Sequence, residues 1–154
     1  MPSSYQTFLG SEMDVSDIDE FLTRTGVGVL SMSVDGVPYG VPLSFGYDGD
    51  ALYFLFVGRS VNLKKERYAE RSRQASFAAF DVDPDGSWRS AIVTGPITRI
   101  TPQEWDSARA ALADNAFESD LLGEHDIEEH PNVWALDIEE RSGRIVGSGW
   151  SGLS

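Results

Sequence analysis

Residues 35–45 read Asp35-Gly36-Val37-Pro38-Tyr39-Gly40-Val41-Pro42-Leu43-Ser44-Phe45, and the fold follows from this stretch. Asp-Gly between two β-like runs is the strongest short hairpin signal. Val27–Val34 supplies the first run and Val37–Phe45 the return strand. Side chains alternate across a strand. One face of the return strand carries Val37, Tyr39, Val41, Leu43, Phe45 and, further on, Tyr47, which reads as a core face. The other carries Pro38, Gly40, Pro42, Ser44 and Gly46, with almost no side-chain bulk. Two prolines remove ladder donors, so the strand is expected at an edge or a bulge. A bare face of this kind lets a flat ligand approach the backbone. It also suits a solvated edge, or a strand packed on another protein surface.

The chain on either side of the hairpin continues the pattern. Asp14-Val15-Ser16-Asp17 precedes Ile18, Phe21 and Leu22, which predicts a short amphipathic helix capped by Ser16 and ended by Gly26. Tyr47-Asp48-Gly49-Asp50 is a turn, followed by a strand over 51–57. A helix is predicted over 60–72, a strand over 74–82, a turn at Asp83-Pro84-Asp85-Gly86 and a long strand over 88–100. Thr101-Pro102-Gln103-Glu104 is a capping box with proline at the first helical position, opening a helix marked by Trp105, Ala108, Leu112 and Ala116. Residues 117–131 are irregular and acidic. A last strand is predicted over 132–139, and Ser142-Gly143 turns the chain into a short tail ending near Trp150. Six hairpin-linked strands with inserted helices predict a mainly β (α+β) fold, a small antiparallel barrel with peripheral helices. The length fits a single domain over residues 1–154.

Charge is unevenly spread. Fourteen aspartates and eleven glutamates face ten arginines and two lysines, for a net charge of −13. Six of the twelve cations fall between Arg59 and Arg73, opposed there only by Glu66 and Glu70. That segment carries +4, leaving −17 on the rest. The predicted helix starts just after Gly58-Arg59-Ser60, and a helix N-terminus favours anions. Arg59, Ser60, Asn62 and Lys64 therefore form a candidate phosphate site, the competing reading being a solvated helix paired with acidic neighbours. The overall charge argues against nucleic acid and anionic membranes as partners. Scarce lysine and abundant aspartate suit a high-salt cytoplasm, where screening shortens self-repulsion. With no cysteine, disulfides and thiolate chemistry are excluded. The sequence shows neither a signal peptide nor an apolar run long enough to span a membrane, so a cytoplasmic protein is expected. His125 and His130 sit among Glu124, Asp126, Glu128 and Glu129, but their spacing of five does not put both on one helical face, and no metal site is expected.

The order of elements resembles the FMN-binding split barrel of the pyridoxamine 5′-phosphate oxidase-like superfamily, in its short, nitroimidazole-resistance-like branch. The residues carrying the resemblance are Asp35–Phe45, Leu52-Tyr53-Phe54-Leu55-Phe56, Asn62-Leu63-Lys64 and Trp88-Arg89-Ser90-Ala91-Ile92-Val93-Thr94-Gly95. It implies an antiparallel six-stranded split β-barrel in which Val41, Pro42, Leu43, Ser44 and Phe45 lie along the flavin ring and Leu55 and Phe56 border it. Lys64 matches the phosphate-binding lysine, while Asn62 and Leu63 replace the family's serine and arginine; Arg59 or Ser60 would compensate. Ser90 matches a polar residue near the flavin. Family members are usually homodimers with the flavin at the interface, which makes Trp88, Arg89 and Trp134 candidates for contacts from a second chain. The implied function is an FMN-dependent oxidoreductase acting on a small molecule by hydride transfer, with no acid–base catalytic residue nominated. A non-catalytic flavin-storage protein is the alternative. The superfamily also contains binders of deazaflavin F420 and of heme, and F420 is the alternative cofactor. The tail from Ser142 to Trp150 does not match the tryptophan- and arginine-bearing segment that holds the substrate phosphate in vitamin B6 oxidation, so that reaction is not expected.

Overall fold

The computed structural model describes residues 10–56, 63–114 and 132–147. These residues form ten strands: β1 (Ser11–Glu12), β2 (Val27–Val34), β3 (Val37–Ser44), β4 (Gly46–Tyr47), β5 (Ala51–Leu55), β6 (Ala75–Val82), β7 (Trp88–Gly95), β8 (Ile97–Arg99), β9 (Val133–Asp137) and β10 (Glu140–Val146). Three helices accompany them: α1 (Val15–Arg24), α2 (Lys64–Arg71) and α3 (Trp105–Ala113). One antiparallel sheet has the order β1-β10-β7-β6-β2-β3 and a second the order β4-β5-β9-β8. The result is a mainly β, antiparallel split barrel with peripheral helices.

The hairpin forms as read. Asp35 (φ 52°) and Gly36 (φ 76°) both take the left-handed conformation that a two-residue primed turn requires. The register then runs without a slip from Val34 opposite Val37 to Val27 opposite Ser44. β3 is the edge of the six-stranded sheet, where Pro38 and Pro42 are tolerated. Its odd-numbered side chains pack inward: Tyr39, Val41 and Leu43 are half-buried against the core. That core lies between the sheets and is dominated by Phe21, Phe45, Phe54, Phe56 and Phe77. A second apolar cluster joins α3 to β5 and β9 through Ala108, Leu112, Tyr53, Leu55 and Ala135.

Four expectations are corrected. The long strand over 88–100 is two strands in different sheets, because Pro96 interrupts the ladder. A Cβ on Gly95 would stand 1.7 Å from the Asp137 carbonyl oxygen, so only glycine lets β9 pass at this crossover. Ser142-Gly143 is not a turn but the middle of β10, where Gly143 makes room for Met13 and Ile18. α1 is capped by Asp14 and not Ser16, through a reciprocal box with Asp17; its C-cap is Thr25, so that Gly26 is the first residue past the helix, as expected. α2 begins at Lys64, since Leu63 is still extended, and not at residue 60. The expectations for residues 117–131, including both histidines, fall outside the described residues.

A polar clamp ties the sheets together. Arg141 of β10 donates to the Asp19 carboxylate of α1 (3.2 Å), the Tyr47 hydroxyl of β4 (3.0 Å) and the Gly49 carbonyl (3.1 Å), while Tyr47 also donates to Asp19. Burial and the hydrogen bond to Asp19 push the Tyr47 phenol up to about 12.

The outward face of the large sheet is unusual for so acidic a chain. β3 turns Pro38, Gly40, Pro42 and Ser44 outward, and β2 sets Ser33, Ser31, Val29 and Val27 opposite them. β6 continues with Ser76, Ala78, Phe80 and Val82, and β7 with Thr94, Ile92, Ser90 and Trp88. None of these sixteen side chains is charged. Phe80 is 60 % exposed, Val82 61 % and Ile92 45 %.

Candidate functional site

The site is built where the bare edge of β3 meets the start of α2. α2 has no side-chain cap: Leu63 occupies the position that serine, threonine, aspartate or asparagine usually fills. The amide groups of its first turn are therefore left to other acceptors, at the positive end of the helix dipole. Lys64, the first helical residue, is exposed and places its Nζ 4.8 Å from the centre of the Tyr39 ring and 6.0 Å from that of Tyr68. Tyr39 and Tyr68 pack on each other with centroids 5.0 Å apart. Lys65 is half-buried, its Nζ 5.7 Å from the Phe56 ring centre, and burial pushes its ammonium below the usual lysine range.

The pairing of the cations sharpens the picture. Arg24, Arg71, Arg89, Arg99, Arg141 and Arg144 each have a carboxylate at ion-pair distance. Among the described residues, Lys64, Lys65, Arg67, Arg73 and Arg109 have no such partner, and the first four lie on or just after α2. Carboxylates outnumber cations two to one in this chain. A run of cations left unpaired in such a background has capacity for an anion from outside.

The structure places the expected ligand residues as follows. Val41, Pro42, Leu43 and Ser44 are consecutive on the edge strand, with Pro42 exposed. Phe45 follows them but its ring lies in the core, edge-on to Phe77 at 4.9 Å, and its amide donates to the Gly26 carbonyl (3.3 Å). Leu55 and Phe56 are buried; the Phe56 ring stacks on Trp134 at 5.9 Å. Arg59, Ser60 and Asn62 fall outside the described residues. Trp88 and Ser90 are on the outward face of β7, three ladder spacings from β3, or about 14 Å. One chain alone does not bring them to the edge strand. Trp134 is buried under Arg99 with its indole N–H on Asn132 (2.7 Å), and Arg89 is buried against Asp81 (2.7 Å); neither is available to a second chain.

Residues 14–145 match the model of the family described as pyridoxamine 5′-phosphate oxidase. The chain belongs to that family. Among solved structures, this pyridoxamine 5′-phosphate oxidase family member is similar to an FAD-binding protein from Mesorhizobium loti, at 22% identity and a TM-score of 0.73, over 90% of this chain and 99% of that one. An FAD and heme binding protein from Mycobacterium smegmatis aligns at 19% identity and a TM-score of 0.68, over 89% of this chain and 74% of that one. A proposed 5-nitroimidazole antibiotic resistance protein from Bacteroides thetaiotaomicron aligns at 20% identity and a TM-score of 0.65, over 88% and 87%. At these identities the likeness is one of fold. No curated protein matches significantly.

Sequence reasoning did not find the Tyr39–Tyr68 platform under Lys64 in this family member, nor the burial of Lys65. The spacing of four between Lys64 and Tyr68, which puts both on one helical face, was the available signal. Among the described residues there is no cluster of histidine and carboxylate side chains suited to a metal ion, and no helix long and apolar enough to cross a membrane.

Proposed function

We propose that the protein binds a flavin through its mononucleotide half, with the ring along β3 and the 5′-phosphate at the start of α2, and that it is an oxidoreductase for a small molecule. The observation that carries this reading is the α2 N-terminus, which has no side-chain cap, with Lys64 and Lys65 beside it, both without an acidic partner among the described residues of a chain of net charge −13. FMN is the smallest ligand with the required parts, and FAD shares them. The chemistry fits: a dianionic phosphate accepts from free amides and from lysine point charges, and the small side chains of Gly40, Pro42 and Ser44 admit a planar ring. The flavin-binding names of several structural neighbours agree with it. A bound flavin would supply two-electron transfer; the protein would hold the ring, exclude water from one face and leave the other open.

The second copy of the chain belongs to the same proposal. Sixteen adjacent outward side chains without a charge mark a surface to be covered, and such a face lets an acidic chain associate with itself without burying like charges. A partner seated there would bring its own Trp88 and Ser90 toward β3, which one chain alone cannot do. Storage of the flavin without turnover is the second reading, favoured by the lack of any titratable side chain on the outward face of β3.

The test is the visible spectrum of protein purified in high salt and supplied with FMN or FAD. Bound-flavin absorbance with quenched fluorescence is expected. A protein that stays colourless with both refutes the flavin reading. Bound flavin that nicotinamide donors and small-molecule acceptors cannot cycle assigns storage.

A further inference from the structure

Lys64, Tyr68 and Arg71 are spaced by four and three residues, so all three lie on one face of α2. That face runs beside the hairpin. Its first residue meets Tyr39 on β3, and its last pairs with Asp35 at the turn (Arg71 Nη2 to Asp35 Oδ2, 3.0 Å). The two cations are about 10 Å apart along the helix axis. Their side chains end at separate places, so a single phosphate monoester cannot use both. Beyond Lys64 the path leads to an open depression of about 370 Å³ lined by Ser33, Val34, Asp35, Arg71, Arg73 and Gln74. Arg73 is exposed and has no acidic partner among the described residues. Asp35 adds an acceptor carboxylate.

Guanidinium groups suit a pyrophosphate or the face of a purine. An acidic side chain beside them suits ribose hydroxyls, as in dinucleotide sites generally. A ligand offering only negative charge would find Asp35 repulsive; one offering hydroxyls as well would not. We propose that the depression bounded by Asp35, Arg71 and Arg73 receives the adenosine half of FAD, so that the protein prefers FAD to FMN. The ligand would run from the ring on β3, past its first phosphate at Lys64, to the adenosine at the hairpin turn. This inference rests on the flavin reading and extends it to the identity of the cofactor.

The experiment is fluorescence-quenching titration of the full chain with riboflavin, FMN and FAD, for the native protein, Arg71→Ala, Arg73→Ala and Arg109→Ala. FAD is expected to bind about tenfold or more tightly than FMN. Arg73→Ala should erase most of that margin while changing FMN affinity less than twofold, and Arg109→Ala, on α3, should leave the margin intact. Circular dichroism melts confirm that the variants fold. Equal affinity for FMN and FAD overturns the inference and leaves the flavin reading standing. An FAD preference that survives Arg73→Ala and Arg71→Ala alike overturns the location. Failure of all three flavins to bind refutes the flavin reading itself.

Discussion

Ile92→Asp tests the uncharged sheet face most directly. Ile92 lies on the row Pro42–Val29–Ala78–Ile92–Ser142 that crosses the large sheet. Four strands about 4.8 Å apart and eight residues long, at about 3.3 Å each, give a flat footprint of roughly 500 Å² per copy. Two such faces, with their side-chain relief and the rim at β10, reach the lower range of stable interfaces, on the order of 1,200 Å² in total. The native protein should therefore dimerise at micromolar concentration or below. Ile92→Asp places one carboxylate from each copy in the buried patch, which costs several kcal/mol and raises the dimer dissociation constant about a thousandfold. The monomer should hardly notice, because Ile92 is 45 % exposed and points away from the core; about 1 kcal/mol of strand preference is at stake. Sedimentation equilibrium at concentrations from about 1 to 500 µM reads the result. A native protein that stays monomeric throughout, or an Ile92→Asp dimer as tight as the native one, refutes the assignment of this face.

Four further outcomes are expected. Lys64→Ala should weaken FMN and FAD alike by about 1.5–3 kcal/mol, the worth of a charge-assisted contact, in the same quenching titration; no loss removes Lys64 from the phosphate site. Gly143→Ala should lower the melting temperature through about 1–3 kcal/mol of overpacking, since its methyl would stand 2.6 Å from the Met13 sulfur and 3.1 Å from the Ser90 carbonyl oxygen; an unchanged melt means that β10 is looser than described. The Tyr47 phenol ionises near 10 in the unfolded chain but is pushed up to about 12 in the fold. Its contribution is thus complete below pH 10 and lost as pH rises from 10 to 12, so denaturant midpoints should fall across that window, and less steeply in Tyr47→Phe. Raising potassium chloride from about 0.1 to 1 M shortens the screening length from about 10 to 3 Å, and calorimetry should record a higher melting temperature; a flat response would show that self-repulsion among the carboxylates is minor.

The hairpin was legible because its signals are local. Asp35-Gly36 fixes the turn, the turn fixes the register, and the two prolines name the edge. The basic segment was legible because charge is additive along a sequence. The two-sheet division was not. Pro96 marks a break in the ladder, but nothing within residues 88–100 says that the chain changes sheets there; the reason lies in Asp137, about forty residues on, whose carbonyl passes where a Cβ on Gly95 would be. β10 was missed for a related cause: Ser142-Gly143 carries turn residues, yet the glycine is there to clear Met13 and Ile18. In both places a glycine marks the close approach of distant chain and not a local bend. At the site, Phe45, Leu55 and Phe56 are expected as ligand contacts from the family resemblance, although strand alternation puts Phe45 on the core face. Their burial, settled by contacts with Phe77, Trp134 and α3, leaves the backbone of β3 and the cations of α2 as the groups that face outward.

The distribution of cations then separates what builds the barrel from what serves the site. Arg89, Arg99 and Arg141 are held by carboxylates from other elements and lie against rings or carbonyls, where they join α1, α2 and the two sheets. Arginine suits those posts, because its fork satisfies two or three acceptors at once. Both lysines of the chain stand instead at the start of α2, without an acidic partner among the described residues, one on a tyrosine platform and one against Phe56. A lysine there breaks no ion pair with the described residues when it binds, and its point charge adapts to an oxygen that is not part of the chain. Were α2 only a solvated helix, its charges would be expected to find carboxylates among those of the described residues. Glu66 and Glu70 are on the same helix, yet both pair with Arg99 on β8. That choice of partner leaves the lysines without a carboxylate among the described residues, and it is the physical reason to look for the flavin phosphate at this end of the helix.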